Sequence, residues 1–215
     1  MKRNLSLIIY DFDGTLVDTL YDIADAVNLA LKELGLRILS RETIRKYVGR
    51  GVEKLMAQSI DGTGYTDLPQ AAKLFRKHYS ENLMNHTRFY PFGREILDHF
   101  RDKKQAICSN KPEEFVRRIL ESLGSLEFFD AILGGDSLKS KKPDPEGLLY
   151  LLDRFQCAPE QAVLIGDSPV DIETGKRAGV YTCVVSFGLG DPKEIALAEP
   201  DCSIDHLSEL KNLFG

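Results

Sequence analysis

The sequence predicts an α/β fold: a doubly wound parallel sheet, interrupted after its first strand by a small block of helices. Three observations carry this. The apolar run Leu7-Ile8-Ile9-Tyr10 ends in Asp11-Phe12-Asp13-Gly14-Thr15. From about residue 16 to 87 the periodicity is helical throughout. After Pro91 short apolar runs alternate with helical stretches, as a parallel sheet covered on both faces requires.

The first strand is read over Leu5–Tyr10, a short run with β-branched residues. Leu20, Ile23, Val27, Ala30, Leu31 and Leu34 then recur at helical spacing, and Gly35 closes that helix. Further helices are expected over Arg41–Val48, Val52–Ile60 and Pro69–Leu83, with a loop at Asp61-Gly62-Thr63-Gly64. No strand is expected in this block. Helices over Gly93–Arg101, Pro112–Leu123, Pro145–Phe155 and Pro169–Ala178 then alternate with strands over Gln105–Cys108, Ala131–Leu133, Ala162–Ile165 and Thr182–Ser186. A last helix is placed at His206–Phe214. Residues 1–15 and 88–215 thus form an α/β core, and 16–87 an inserted helical unit.

The chain has 215 residues and a formal net charge of −5, which argues against nucleic acid or an anionic membrane as the main partner. The acidic excess lies in the core, while the inserted unit is nearly balanced. A small anionic substrate stays compatible, because local cations or a metal can reverse the field at one site. The four cysteines form no CxxC pair, and a reducing compartment is expected. The segment behind Met1-Lys2-Arg3 is too short and too soon acidic for a signal peptide, so a cytoplasmic protein is expected, monomeric or homodimeric.

Side chains alternate along a strand, so Asp11 and Asp13 leave the first strand on the same side. Like charges this close repel, so one keeps its proton or a cation sits between them. One carboxylate can then act as nucleophile and the other as proton donor beside a metal. Three later segments also follow strands and reach the same sheet edge, where open α/β sheets bind ligands. Ser109-Asn110-Lys111-Pro112 offers a hydroxyl and an amide near a helix start, as an anion site or as a plain cap. In Lys141-Lys142-Pro143-Asp144-Pro145, Lys142 is placed to neutralise carboxylates and hold a phosphoryl oxygen, whereas Lys141 reads as solvent-exposed. Gly166-Asp167-Ser168-Pro169-Val170-Asp171 brings two more acids one helical turn apart, as Mg²⁺ ligands or again as caps. No GxxxxGK[ST] loop, GxGxxG, HExxH or GxSxG occurs, and His78, His86, His99 and His206 lie away from the strand ends.

With these residues in this order, the chain resembles the haloacid-dehalogenase-like phosphohydrolases. Their four motifs correspond here to Asp11-Phe12-Asp13-Gly14-Thr15-Leu16-Val17-Asp18, to Ser109 with Asn110-Lys111, to Lys142, and to Gly166-Asp167-Ser168 with Asp171. The inserted helices resemble that family's small cap. Tyr47-Val48-Gly49-Arg50-Gly51, Gly134-Gly135-Asp136 and Ser186-Phe187-Gly188 resemble its phosphoglycolate-phosphatase-like branch, although Arg50 stands where that branch commonly carries a small polar residue.

The resemblance implies Asp11 as the nucleophile that becomes an aspartyl-phosphate, with Asp13 as acid and base. It implies Mg²⁺ on Asp11, the Asp13 carbonyl and Asp167, with Asp171 supporting directly or through water. Ser109, Asn110 and Lys142 would hold phosphoryl oxygens, and Thr15 belongs to the same substrate-binding set. Arg50, freed by Gly49 and Gly51, is either a grip for a substrate carboxylate or a solvent-facing arginine. The expected activity is Mg²⁺-dependent hydrolysis of a small phosphate monoester, phosphoglycolate first. Phosphosugar mutase, pyrophosphatase and a receiver-like phospho-acceptor domain are the alternatives. Dehalogenation is disfavoured, since Asp13, Asp167 and Asp171 have no use in it.

Overall fold

The structure, a computed structural model, describes residues 4–215; Met1-Lys2-Arg3 lie outside the described residues. Six parallel strands form the sheet: β1 (Leu7–Tyr10), β4 (Lys104–Cys108), β5 (Ala131–Leu133), β6 (Ala162–Gly166), β7 (Tyr181–Val185) and β8 (Cys202–Ile204). Their spatial order is β5-β4-β1-β6-β7-β8. β1 is central because it pairs with β4 on one side and β6 on the other, with Tyr10 opposite Ile107 and Ile165. That register brings the carboxyl ends of β1, β4 and β6 level, so the residues after each strand meet in one crevice.

Alternation along the strands divides the core. Ile8, Tyr10, Ile107, Val163 and Ile165 face one layer, with Ile96, Phe115, Val116 and Leu210. Leu7, Ile9, Ala106, Leu164 and Ala162 face the other, with Leu148, Leu151 and Leu152. Both faces are covered, so these strands read as unbroken apolar runs. The covering helices are α5 (Gly93–His99), α6 (Glu113–Ser122), α7 (Glu146–Arg154), α8 (Pro169–Ala178), α9 (Pro192–Ala198) and α10 (Leu210–Leu213).

The inserted unit contains α1 (Leu20–Glu33), α2 (Arg41–Arg45), α3 (Val52–Ile60) and α4 (Leu68–Asn82). Its interior joins Ile23, Val27, Ala30 and Leu31 of α1 to Leu55, Met56, Ala71, Leu74 and Phe75. The small residues Ala24, Ala26 and Ala30 are all buried, which suits close packing of α1 against α4.

Five features differ from the sequence reading. Residues 16–87 do contain a strand: β2 (Val17–Asp18) pairs antiparallel with β3 (Arg88–Phe89), forming a two-stranded ribbon where the chain enters and leaves the unit. Helix α2 stops at Arg45, and the chain turns through Gly49 and Gly51 at φ +104° and +86°, a region open to glycine. Strand β8 and helix α9 were not anticipated. Cys202-Ser203-Ile204 is too short and polar to register as a strand, and α9 buries no residue. The last helix contracts to Leu210–Leu213 behind a single tighter turn. Among the described residues no helix is long and apolar enough to cross a membrane.

Candidate active site

Asp11 follows directly on β1, Asp167 directly on β6, and Asp171 lies in the first turn of α8. Ligand oxygens of all three come within 4.8 Å of one another, and all three residues are buried. Lys142 joins them from the loop before α7, its peptide bond to Pro143 being cis. Its Nζ lies 2.9 Å from Asp11 Oδ1 and donates to Asp171 Oδ1 at 2.6 Å.

Charge is unbalanced here: one ammonium faces three carboxylates. Burial, with Asp171 adding and Lys142 opposing, pushes Asp11 up to about 6. Burial and the neighbouring Asp171 and Asp11 push Asp167 well above the usual carboxylate range. Burial alone would lower Lys142, but Asp11 and Asp171 outweigh it and hold the ammonium form. An all-oxygen donor set with excess negative charge fits a hard divalent cation such as Mg²⁺, which would relieve the repulsion.

Asp171 is the most constrained of the three. Its Oδ2 accepts from the backbone N–H of Asp167 and of Ser168, at 3.2 and 3.1 Å, and from Ser168 Oγ at 2.6 Å, while Oδ1 takes Lys142. The capping reading of this acid holds, and the same carboxylate aims the lysine.

Asp13 lines a cavity between the inserted unit and the sheet, together with Asp11, Ser109, Asn110, Gly49 and Gly51. Its Oδ1 accepts from Thr19 Oγ1 at 2.6 Å and from Lys111 Nζ at 3.0 Å. The opposite wall is apolar and includes Ile23, Val52, Leu55 and Phe75. Ser109 is buried at the end of β4, with its Oγ 3.4 Å from the Lys111 N–H. Thr15 is fully buried and does not line the cavity, and its Oγ1 has no hydrogen-bond partner, so the structure does not bring this expected substrate-binding residue to the cavity.

Two further expectations need correction. Asn110 Nδ2 donates to Gly49 O at 2.9 Å and to Lys142 O at 3.0 Å. Both amide protons are thus spent on backbone, and in this arrangement the side chain ties the inserted loop to the lysine rather than holding a phosphoryl oxygen. Arg50 is exposed and does not line the cavity. The glycines give its backbone freedom, but the side chain points to solvent. Lys141 is exposed as expected, and it also pairs with Glu53 of α3 at 3.3 Å.

The sequence reading missed a cation in the cavity. Lys111 is buried, donates to Tyr79 OH at 2.7 Å as well as to Asp13, and lies 4.4 Å from the Tyr79 ring centroid. Burial, only partly offset by Asp13, lowers its pKa. Lys111 was visible as a neighbour of Ser109, but Tyr79 sits 32 residues away on α4 and reads as core. Arg45 was also missed; it reaches Gly188 and Leu189 after β7.

Residues 8–185 match the family described as haloacid dehalogenase-like hydrolase. A phosphoglycolate phosphatase of Nitrosospira multiformis is 37% identical over 216 residues, covering 97% of this chain and 95% of that protein. One from Aquifex aeolicus is 36% identical, covering 97% and 96%. The crystal structure of a predicted phosphoglycolate phosphatase from Haemophilus somnus superimposes with a TM-score of 0.93 at 31% identity, covering 97% of each chain. With a family match over most of its length and relatives above 30% identity across nearly all of it, this chain belongs to the haloacid dehalogenase-like hydrolases.

Proposed function

We propose that the protein is a Mg²⁺-dependent phosphatase of small phosphate monoesters, phosphoglycolate first, working through an aspartyl-phosphate on Asp11. The observation that carries this reading is the pairing of Asp11 with Lys142 beside Asp167, with Asp11 and Asp13 lining one cavity. The names of the relatives agree with it.

Lys142 offsets the charge of Asp11, so that a phosphoryl dianion can approach a carboxylate nucleophile. Attack by an Asp11 oxygen forms the acyl-phosphate and expels the alkoxide, to which Asp13 gives its proton. Asp13 then takes a proton from the water that attacks the same phosphorus, and inorganic phosphate leaves. Thr19 and Lys111 hold Asp13 in place for both transfers. Asp11 and Asp167, with the Asp13 carbonyl, would hold Mg²⁺, and Asp171 would support them. When bound, the cation supplies charge neutralisation and orientation at the phosphoryl oxygens. Ser109 supplies a hydroxyl to the phosphoryl group, and Gly49 and Gly51 shape the entrance.

Residues 16–87 act as a cap in this reading, and residues 1–15 and 88–215 as the core. The cap limits substrate size through its apolar wall and excludes bulk water. The cation available to a substrate carboxylate is Lys111 rather than Arg50, because Lys111 lines the cavity and Arg50 does not.

The test is phosphate release with Mg²⁺ across phosphoglycolate, sugar phosphates, pyrophosphate and nucleotides, with Asp11→Asn as control. Preference for phosphoglycolate, abolished by EDTA and by Asp11→Asn, is expected. Isomerised sugar phosphate without free phosphate would overturn hydrolysis, and activity surviving in Asp11→Asn would overturn the nucleophile.

A further inference from the structure

Arg45 ends α2 on the inserted unit, yet its hydrogen bonds are made to the core. Its Nη2 donates to Gly188 O at 2.7 Å and its Nε to Leu189 O at 3.2 Å. The Leu189 N–H in turn donates to Asp167 Oδ2 at 2.6 Å. Gly188 C=O and Leu189 N–H belong to one peptide unit. That unit is planar, and in the trans form its oxygen and hydrogen point in opposite directions. Arg45 therefore holds one end of a rigid amide whose other end holds Asp167. A charged donor on the carbonyl also polarises the amide and strengthens the bond made by its N–H.

The loop has little freedom to compensate. A Cβ on Gly188 would lie 2.6 Å from Asp167 Oδ2 and 2.7 Å from Gly14 O. A Cβ on Gly14 would press on the Leu189 side chain at 2.8 Å. Phe187 packs against Tyr90, just beyond the ribbon, with ring centroids 4.7 Å apart. Arg45 is the side chain that grips this loop from the inserted helices.

We propose that Arg45 is a positioning residue that couples docking of the cap to the geometry of Asp167. When the cap is seated, Arg45 fixes the 188–189 amide and the amide fixes the carboxylate. When the cap lifts, the carboxylate loses its aim. This inference rests on the reading of Asp167 as a Mg²⁺ ligand. Partners of this kind, one step removed from a metal ligand, change metal affinity by about 10–100-fold when lost.

The test compares wild type, Arg45→Ala, Arg45→Lys and Glu53→Ala. Glu53 makes the separate cap-to-core pair with Lys141 and so reports general loosening of the cap. Two readouts are taken: hydrogen exchange at the Leu189 amide without metal, and the Mg²⁺ dissociation constant by calorimetry.

Arg45→Ala is expected to speed Leu189 exchange and weaken Mg²⁺ binding, each by about tenfold. Activity at saturating Mg²⁺ should stay within about threefold of wild type. Arg45→Lys, which keeps the charge but not the two-pronged donor, should recover part of both, and Glu53→Ala should change neither. Unchanged Leu189 exchange in Arg45→Ala, or equal effects from Glu53→Ala, would overturn the coupling. Equal Mg²⁺ binding by wild type and Asp167→Asn would overturn the metal reading instead, and the exchange result would still stand on its own.

Discussion

Replacing Lys142 by Met removes the one ammonium bridging Asp11 and Asp171 while keeping a side chain of similar length. Nothing else within the cluster can take its place, because the side chain is only 3% exposed and sits between two nearly buried carboxylates. Removing one partner of a buried pair costs about 3–5 kcal/mol. At about 2–4 °C per kcal/mol for a chain of this size, the metal-free variant should melt roughly 6–20 °C below wild type at pH 7.5. The sign of the pH dependence follows from Asp11 and Asp167, whose pKa values are raised in the folded state. Groups of this kind favour folding below their unfolded pKa and lose that contribution as pH rises through the folded value, about 6 for Asp11. Without Lys142 that folded value rises further, so the deficit should shrink at pH 5. Mg²⁺ should recover part of the loss at pH 7.5, while kcat falls at least about 10²-fold for want of the cation. Adding Asp171→Asn should recover stability but not activity, since it removes a charge without supplying an ammonium. The assay is thermal melting with EDTA and with Mg²⁺ at the two pH values, paired with phosphate release. A variant melting within 2 °C of wild type without metal, or a deficit that grows at pH 5, would refute the reasoning.

Other perturbations separate the residues further. Lys111→Met should lower kcat/KM for phosphoglycolate at least about tenfold, whereas Arg50→Ala should leave it within about threefold; the reverse order in steady-state kinetics would restore Arg50 as the grip. The Asp22 carboxylate is buried and accepts from the His86 and Thr87 N–H groups and from Thr87 Oγ1, at 2.7–3.0 Å. Asp22→Asn turns one acceptor into a donor facing a donor, so a loss of about 1–3 kcal/mol is expected in denaturant unfolding, and an unchanged midpoint would contradict it. The Mg²⁺-induced rise in Tm of wild type should be large at pH 7.5 and smaller at pH 5, because a proton on Asp11 competes with the cation; a rise independent of pH would mean that Asp11 is not a ligand.

The acids were legible in the sequence because each is fixed by local geometry. Asp11 and Asp167 terminate apolar strands, and the strand period with a following turn is enough to send them to one edge. Lys142 needed the motif resemblance as well, since a lysine before a proline says little alone. The cap contacts were not legible. Lys111 meets Tyr79 across 32 residues and Asp13 across 98, and Arg45 meets Leu189 across 144. No periodicity encodes such distances. Tyr79 fits the apolar face of α4 equally well as core or as cavity lining. Arg50 shows the opposite failure: flanking glycines disclose that a loop is free to turn, not where its side chain will point. Asp191, whose carboxylate caps the start of α9 just before Pro192, was a readable start signal. It was passed over because α9 has no buried face to give it a period.

The chemistry of the cap-to-core contacts bears on how the site could open. Asn110 to Gly49, Lys111 to Tyr79, Arg118 to Ser80, Lys141 to Glu53 and Arg45 to Gly188 are all polar. Water can replace each of them on opening, so the neutral bond contributes about 0.5–1.5 kcal/mol net and those with a charged donor up to about 3. The edge contact of Tyr79 on Phe115 adds an apolar element, with ring centroids 5.1 Å apart. The hinge is built differently. Asp22 binds the backbone of residues 86 and 87 to α1, the Thr87 bonds being buried, and Tyr90 N–H is held by Leu16 O at 3.1 Å. The two chain crossings are thus tied to each other through Asp22 and Leu16. In the proposed reading of residues 16–87 as a cap, a substrate that touches both Asp13 and the inserted helices would add differential binding for the closed arrangement. Lys111 is placed to supply part of it, because it bridges Asp13 on the core and Tyr79 on α4.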